Sequence, residues 1–547
     1  MPKRRLTRKS GQQSKPDDPQ LSFKQRLALK RKRDRHRKEL IRFTIVAFLF
    51  STLLGFIVAI ATREPKAGLA VCLGILYTSL SFRYPSQALW ALLIYLPFGG
   101  TITYAIGNSP LLQLAKDGFY IPALFGVIQF CRREHLPVII NKTLFAPLML
   151  LAGYCCLVLL VVNGSQQLGA EGEYPILLGI LGVKVLLGYV PLMVCGYYLV
   201  KDRKTLFFMM RLTVVLILIC CGLAFLQYLW LKTGRCEGTR NAIGEDLFKA
   251  SLDARCLVGG SLLYSPEQGQ IRLPGTFVAP WQWGWFLISS AFLAFACAFN
   301  DPLIRWRTVG LSAMAAVFIM AVLSGQRIAL ALVPVTTLLL LVLTGQVANL
   351  KRFIPVAAVL SMLLGLAAAY NPQLVETRID SFQSRWEAAP PHVFIRQQFD
   401  QAIAQQPGFL GNGLGRATNS GRVLGETALV ETYYPKLIYE IGIAGALLFL
   451  LFVTVLTYQT FKSYRSVGDR TLRSYGASFW VYVLFISYNT YYYPLDVDPV
   501  AIYYWFFAGV ILKLPEIDRQ EQLSETDADA EPSSRKRKRL RRSKTFA

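Results

Sequence analysis

The sequence carries little charge for its length. Only 17% of its 547 residues are charged, 53% are hydrophobic, and the mean hydropathy is +0.38. A soluble chain of this size typically carries about 25% charged residues. No polar block is long enough to form a separate soluble core, and apolar runs of about 20 residues recur along the chain. These features exclude an ordinary soluble enzyme and predict a single polytopic membrane domain with polar tails.

Conventional catalytic and metal-binding patterns are also absent. The chain has three His and ten Cys, with no CxxC pair and no metal-ligand spacing. It contains no GxSxG, HExxH or Walker A sequence, so we expect neither a metal nor a cofactor. Cys236 and Cys256 share one polar loop, and they could form a disulfide if that loop faces an oxidising compartment.

The net charge of +26 is concentrated at the two ends of the chain. Residues 1–42 contain sixteen Lys and Arg, and residues 535–544 read RKRKRLRRSK. Such runs also occur in proteins that bind nucleic acid. On a membrane protein, however, they are typical of segments that stay in the cytoplasm and contact anionic headgroups. We therefore expect membrane lipid, and not nucleic acid, as their partner.

About fourteen apolar segments predict an all-α polytopic membrane protein, with about 12–14 transmembrane helices and a large external loop containing short helices. The predicted regions are a basic cytoplasmic N-terminal tail (1–41), a first transmembrane bundle (42–231), an external loop (232–276), transmembrane helices (277–370), a large external loop (371–435), C-terminal transmembrane helices (436–514) and a basic cytoplasmic tail (515–547).

The charges between the segments predict the orientation. With the N-terminus inside, every connector assigned to the cytoplasm is rich in Lys and Arg, as in residues 201–204 and 461–473. The short connectors assigned to the other side are poorer in both. Both termini are therefore predicted to be cytoplasmic. The loops 232–276 and 371–435 and the turn Ser324–Arg327 are predicted to lie outside.

The large external loop is predicted to be structured. Residues 374–387 and 392–405 have helical periodicity, and Pro390-Pro391 separates them. The run GFLGNGLG at 408–415 predicts a tight backbone turn, and we single out its glycines Gly411, Gly413 and Gly415.

Three arginines of the external side are candidate ligands for a diphosphate. Arg272 lies in RLPGTF, Arg327 in SGQR and Arg396 on a loop helix. Each also has a structural interpretation: an interfacial Arg, an Arg with an unidentified partner, and a surface pair with Asp400. A guanidinium binds phosphate bidentately and stays charged. We also expect Gly275 to allow the bound group to approach closely.

Glu431 is the candidate general base, and burial could raise its pKa toward neutrality. It could also be only an acid at the level of the headgroups. Tyr433, Tyr434 and Trp281 are candidate glycan contacts through stacking. Glu440 lies within a span, where a carboxylate must be paired, and an Arg of another helix is the expected partner.

The order RLPGTF, SGQR, a large loop with GFLGNGLG, and then ETYYPKLIYEIGIAG resembles the O-antigen ligase and Wzy-type polysaccharide polymerase superfamily. The resemblance covers residues 250–460. It implies a glycosyltransferase that uses an undecaprenyl-diphosphate-linked glycan, without metal or nucleotide, on the non-cytoplasmic face of a bacterial inner membrane. The implied partners are the lipid-linked donor, a glycan or lipid acceptor and polysaccharide export machinery.

One position departs from this superfamily. Its members commonly carry His-Asn just before the span with the ExG motif, whereas this chain has Glu431-Thr432 there. Either Glu431 replaces the histidine as base, or the chemistry differs.

Two other functions fit a polytopic protein with basic tails. A lipid-linked oligosaccharide flippase would carry buried basic residues in mid-span and two similar halves. A scaffold would use its tails to recruit a cytoplasmic partner.

Overall fold

The computed structural model describes most of the chain. The described residues are 23–107, 115–139, 141–169, 171–239, 242–243, 252, 254–259, 263–265, 270–370, 390–406 and 408–543, with isolated positions at 372–373, 376, 380, 383–384 and 387. The predicted loop helix at 374–387 therefore lies largely outside the described residues.

Helices account for nearly all of the described structure. The first ten are α1 (Phe23–Thr62), α2 (Pro65–Arg83), α3 (Pro85–Tyr95), α4 (Gly99–Ile106), α5 (Ala115–Arg133), α6 (Lys142–Val158), α7 (Gly164–Gly169), α8 (Pro175–Leu187), α9 (Leu192–Leu199) and α10 (Arg203–Lys232). The next eight are α11 (Pro280–Asn300), α12 (Ile304–Leu323), α13 (Arg327–Leu343), α14 (Ile354–Tyr370), α15 (Pro391–Ala404), α16 (Tyr433–Arg465), α17 (Arg470–Tyr488) and α18 (Asp498–Ser543). One short antiparallel hairpin joins β1 (Leu263–Ser265) to β2 (Gln270–Arg272).

The all-α polytopic prediction is confirmed. Within the described residues, nine helical segments are long and apolar enough to cross a membrane, and two shorter apolar helices accompany them. Each predicted apolar segment coincides with a helix or a run of helices. The first and last helices continue into the predicted tails, because Lys, Arg and Glu are good helix formers. The protein is thus a multi-pass membrane protein.

The described residues form two compact units, one up to residue 88 and the other from residue 89 onward. In the first unit, α1 and α2 pack closely through small residues. A Cβ added to Gly55 would lie 2.6 Å from the carbonyl oxygen of Gly68, and one added to Gly68 would lie 2.5 Å from Cβ of Ala59. Small residues of this kind let two apolar helices approach in a membrane.

The second unit is built around two central helices. In α11, 94% of the residues in the most apolar stretch are buried, and in α18 the share is 89%. In the helical segment Lys142–Gly169, which contains α6 and α7, the share is only 17%, which is typical of a helix at the lipid-facing periphery. The surrounding helices α10, α12, α13 and α17 pack against α11.

The connectors of the second unit meet in two separate groups. Arg203 pairs with Asp469 at 2.9 Å and with Glu521 at 2.7 Å, which joins two basic connectors and the C-terminal part of α18. We call this the basic end. The other group is joined by backbone hydrogen bonds, such as Tyr174 N to Leu424 O at 2.8 Å. We call this the loop end. The charge pattern of the sequence also divides the connectors into these two groups, one rich in Lys and Arg and one poorer in both.

At the loop end, the polar loop before α11 is cross-linked. Cys236 and Cys256 form a disulfide. Gln227 on α10 donates from Nε2 to the carbonyl oxygens of Cys256 at 3.2 Å and Gly259 at 3.0 Å. The loop is therefore attached to the bundle at more than one point.

The glycine run enters the bundle. Gly411, Gly413 and Gly415 all have positive φ, at 76°, 103° and 83°, so the predicted tight turn is confirmed. A Cβ on Gly415 would lie 2.2 Å from the carbonyl oxygen of Leu178 in α8. Only glycine fits so close to another backbone.

The helix that receives this run is itself interrupted. Gly442 in α16 has φ 71° and ψ 174°, a conformation essentially restricted to glycine. A Cβ there would lie 2.0 Å from the carbonyl oxygen of Phe409. The glycine run therefore fits beside α16 only because α16 is broken at Gly442.

We expect Gly442→Ala to destabilise the protein by about 1–3 kcal/mol, because alanine cannot adopt this backbone conformation without strain. Thermal unfolding of the purified protein in detergent would measure this loss. Gly222→Ala in α10 is the matched control, since a Cβ there meets no atom within 4 Å. Equal unfolding temperatures for both variants would contradict the role assigned to Gly442.

Candidate functional site

Arg272 and Arg327 are brought together by their backbones, and we call them the arginine pair. Leu273 N donates to the carbonyl oxygen of Ser324 at 3.0 Å. A Cβ on Gly325 would lie 2.2 Å from the carbonyl oxygen of Ile271 and 3.6 Å from Cα of Arg272. The SGQR turn therefore lies directly against the RLPGTF segment, so the two arginines stand on backbone segments that contact each other.

The turn after Arg272 is buried. Phe277 N donates to the carbonyl oxygen of Pro274, and the carbonyl oxygen of Thr276 accepts from Thr101 N at 3.1 Å. Gly275 has φ 57°, and a Cβ there would lie 2.6 Å from the indole of Trp283. The expectation that Gly275 makes room for a ligand is thus wrong, because Trp283 fills that space.

A turn of three tyrosines, Tyr491–Tyr493, lies near Arg327 and was not predicted; we call it the tyrosine turn. Tyr492 and Tyr493 both have positive φ, at 54° and 30°. Such backbone strain in non-glycine residues needs support from the surroundings and occurs often at functional sites. Here the support comes from Trp285 on α11, whose Nε1 donates to the carbonyl oxygen of Tyr492 at 3.0 Å.

Glu431 lies on the other side of the tyrosine turn. Its neighbour Thr432 forms a β-bridge with Tyr491, and its own amide donates to Oε1 of Gln398 on α15 at 2.9 Å. The residue is half-buried. Burial raises the pKa of its carboxyl above the usual value, as the sequence interpretation anticipates for a general base.

Tyr491 connects Glu431 to the arginine pair. Burial, then Tyr492, then Glu431 raise the pKa of the Tyr491 phenol, and Arg327 acts in the opposite direction. Glu431 and Arg327 therefore both lie near this one phenol. The arrangement brings Arg327, a carboxyl of raised pKa and a phenol together at the loop end, and the segment of Arg272 contacts the turn that precedes Arg327.

A second ionic group lies deeper, under the glycine run. Lys436 forms an ion pair with Asp496 and lies 4.0 Å from Glu440. Glu440 Oε1 accepts from Ala417 N at 2.9 Å and from Thr418 Oγ1 at 3.0 Å. The expected partner of Glu440, an Arg of another helix, is thus wrong: Lys436 of its own helix and the loop after the glycine run take that place.

A polar cavity of about 940 Å³ opens at the loop end beside the glycine run. We call it the loop cavity. Its lining includes Gln166, Glu173, Arg416, Arg422, Glu426 and Tyr439. The sequence interpretation missed these residues, although Arg416 directly follows the glycine run and Glu173 lies in a connector already assigned to the same side.

Arg416 forms one wall of the loop cavity. Its Nε donates to Gln166 Oε1 at 3.1 Å, and its Nη1 donates to Glu173 Oε2 at 2.9 Å and to the carbonyl oxygen of Glu426 at 3.1 Å. The amide of Glu426, followed by Arg416, holds the pKa of Glu173 below its usual value. Glu173 therefore stays ionised and keeps this wall in place.

The remaining candidates from the sequence have different surroundings. Arg396 is 85% exposed on α15 and lies 3.8 Å from Asp400, as its interpretation as a surface pair predicts, and its role as a diphosphate ligand stays a prediction. Tyr433 is 2% exposed and packs its ring against Phe449. Its face is therefore not available to a sugar.

Two further aromatic candidates differ in exposure. Tyr434 donates from its hydroxyl to the carbonyl oxygen of Ser487 at 2.5 Å, so this phenol is already engaged within the bundle. Trp281, in contrast, is 43% exposed in the first turn of α11, and a glycan contact there stays a prediction. Over the part of the chain that is described, no three His, Cys, Asp or Glu side chains are grouped so as to hold a metal ion.

Comparison with known proteins does not assign the chain to a family. No protein-family model matches the chain, and no curated protein matches it significantly.

We expect Glu431→Gln to raise the unfolding temperature at about pH 7. Because burial raises the pKa of Glu431 in the folded protein, this residue contributes most to stability in acid, and the contribution falls as the pH rises through the folded pKa. The difference between the variant and the wild type should therefore shrink toward about pH 4.5. Thermal unfolding as a function of pH measures it.

Glu171→Gln, at an exposed carboxyl of the connector 171–175, is the matched control and should change the unfolding temperature little at either pH. A Glu431→Gln protein whose unfolding temperature follows that of the wild type over the whole range would contradict the burial of this carboxyl.

Proposed function

We propose that this protein transfers a glycan from a lipid-diphosphate carrier to an acceptor hydroxyl on the non-cytoplasmic face of a bacterial inner membrane. It would thereby act as a ligase or polymerase in polysaccharide assembly. The observation that supports the proposal is the hydrogen bond between Leu273 N and Ser324 O at 3.0 Å, since it joins the backbone segments that carry Arg272 and Arg327.

A ligand that binds both guanidinium groups of the arginine pair must offer two anionic groups close together. A diphosphate fits this requirement, and each guanidinium can bind a phosphate through two parallel hydrogen bonds. When the bond between the anomeric carbon and the diphosphate breaks, negative charge grows on the leaving oxygen. The arginine pair would stabilise that charge.

The acceptor hydroxyl must lose its proton as its oxygen attacks the anomeric carbon. Glu431 would take this proton, because a half-buried carboxylate is a stronger base than an exposed one. The new glycosidic bond forms as the bond to the diphosphate breaks, and the lipid diphosphate leaves with both electrons. Tyr491, between Glu431 and Arg327, would position the reacting groups.

The proposed orientation rests on charge and on cysteine chemistry. The basic end carries Lys- and Arg-rich connectors, which favour the cytoplasm. The disulfide between Cys236 and Cys256 belongs to the loop end, and disulfides persist in oxidising compartments. Both considerations support a loop end that faces away from the cytoplasm.

Arg327→Ala and Arg272→Ala should each slow transfer by about 100-fold or more, because each removes a donor to the developing charge. Arg327→Lys should recover only part of the rate, since lysine keeps the charge and loses the bidentate geometry. The measurement is transfer from a purified lipid-diphosphate glycan by the protein reconstituted in vesicles.

Arg235→Ala, at an exposed arginine of the loop before α11, is the matched control and should transfer at the wild-type rate. Wild-type rates for both Arg272→Ala and Arg327→Ala, at equal protein levels, would refute the proposal. Cells lacking the protein should accumulate lipid-linked glycan on the outer leaflet, whereas accumulation on the inner leaflet would favour a flippase.

A further inference from the structure

We infer that the loop cavity binds an uncharged segment of the glycan acceptor, apart from the diphosphate site. This inference rests on the proposed function and assigns the acceptor subsite of the same reaction. The cavity volume of about 940 Å³ lies within the range of small-molecule sites, so a short oligosaccharide fits.

The charges around the loop cavity balance. Arg416 and Arg422 line it together with Glu173 and Glu426, so two cations face two carboxylates. A polar molecule without net charge is therefore favoured in the loop cavity, which distinguishes this site from the diphosphate site proposed at the arginine pair.

The side chains available in the cavity match the chemistry of a sugar. Arg422 and Glu426 are exposed and offer hydrogen-bond donors and acceptors, which hydroxyl groups can satisfy in both directions. The half-buried Tyr439 supplies an aromatic surface beside them. A few polar groups converging around an aromatic ring are typical of sites that orient a small polar ligand.

The walls of the cavity are held in place before any ligand arrives. The three hydrogen bonds of Arg416 join α7, the connector before α8 and the loop after the glycine run. Ala428 N donates to the carbonyl oxygen of Arg416 at 2.7 Å and closes that loop on itself. A preformed site loses less entropy when it binds a flexible oligosaccharide.

The cavity leads to the candidate base. Ala428 lines the cavity and precedes Glu431 by three residues, a span of at most about 10 Å. Side-chain contacts also connect the cavity to the tyrosine turn. Arg422 Nη2 donates to Asn419 Oδ1 at 3.3 Å, and Asn419 hydrogen-bonds Tyr493. Glu431 in turn helps to raise the pKa of Tyr493, after burial. An acceptor lying in the cavity would therefore present one end near Glu431.

The test uses the full-length protein in lipid nanodiscs. The probe is a fluorescently labelled, lipid-free oligosaccharide, released by mild acid from the lipid fraction of cells that lack the protein. Tyr439→Ala and Arg422→Gln should each weaken its binding by about tenfold or more. In the transfer assay, the same variants should raise KM for the acceptor and leave KM for the lipid-linked donor unchanged.

Two matched substitutions serve as controls. Tyr458→Ala removes a tyrosine from the same helix α16 that is 61% exposed and lies outside the cavity lining. Arg235→Gln removes an exposed arginine from another loop of the loop end. Both should bind the oligosaccharide with wild-type affinity.

Three outcomes would overturn the inference: no binding of the oligosaccharide by the wild type, wild-type affinity in both cavity variants, or displacement of the oligosaccharide by inorganic pyrophosphate at the cavity. These outcomes are separable from failure of the proposed function. That failure would appear as unchanged donor binding and transfer in Arg272→Ala and Arg327→Ala, whatever the loop cavity binds.

Discussion

The buried ionic group of Lys436, Glu440 and Asp496 holds the loop end together. Lys436 and Glu440 are 2% and 3% exposed, and removing one member of such a group leaves an uncompensated buried charge. Glu440 attaches the loop after the glycine run to α16, and Asp496 attaches the segment that follows the tyrosine turn. Glu431, the tyrosine turn and one wall of the loop cavity therefore share a single anchor.

Two parts of the candidate site differ in composition. At the arginine pair, the SGQR turn contacts the RLPGTF segment. In the loop cavity, cations and carboxylates are equal in number and partly paired. Glu431 lies near Tyr491, as Arg327 does, and follows Ala428 of the cavity lining by three residues. The proposed reaction, between a charged donor and an uncharged acceptor, would use both parts.

Local patterns point to part of the candidate site, whose function stays a prediction. Arg272, Arg327 and Glu431 stand in segments whose positions follow from the helix pattern, and the glycine run has the backbone that its composition predicts. Tyr433 and Gly275 were misassigned because local sequence does not say which neighbour fills the space beside a residue. The tyrosine turn escaped notice because its backbone needs positive φ in non-glycine residues, which only tertiary contacts can support.

The sequence by itself determined the all-α membrane architecture, the helical segments and the grouping of connectors into a basic end and a loop end. Hydropathy and charge act locally along the chain, so a window of about 20 residues suffices to read them. Only the tertiary structure decided which loops meet. The glycine run fits between α8 and the break at Gly442, and Arg416 reaches Glu173 from a position 243 residues away along the chain. Such contacts depend on the packing of the whole bundle.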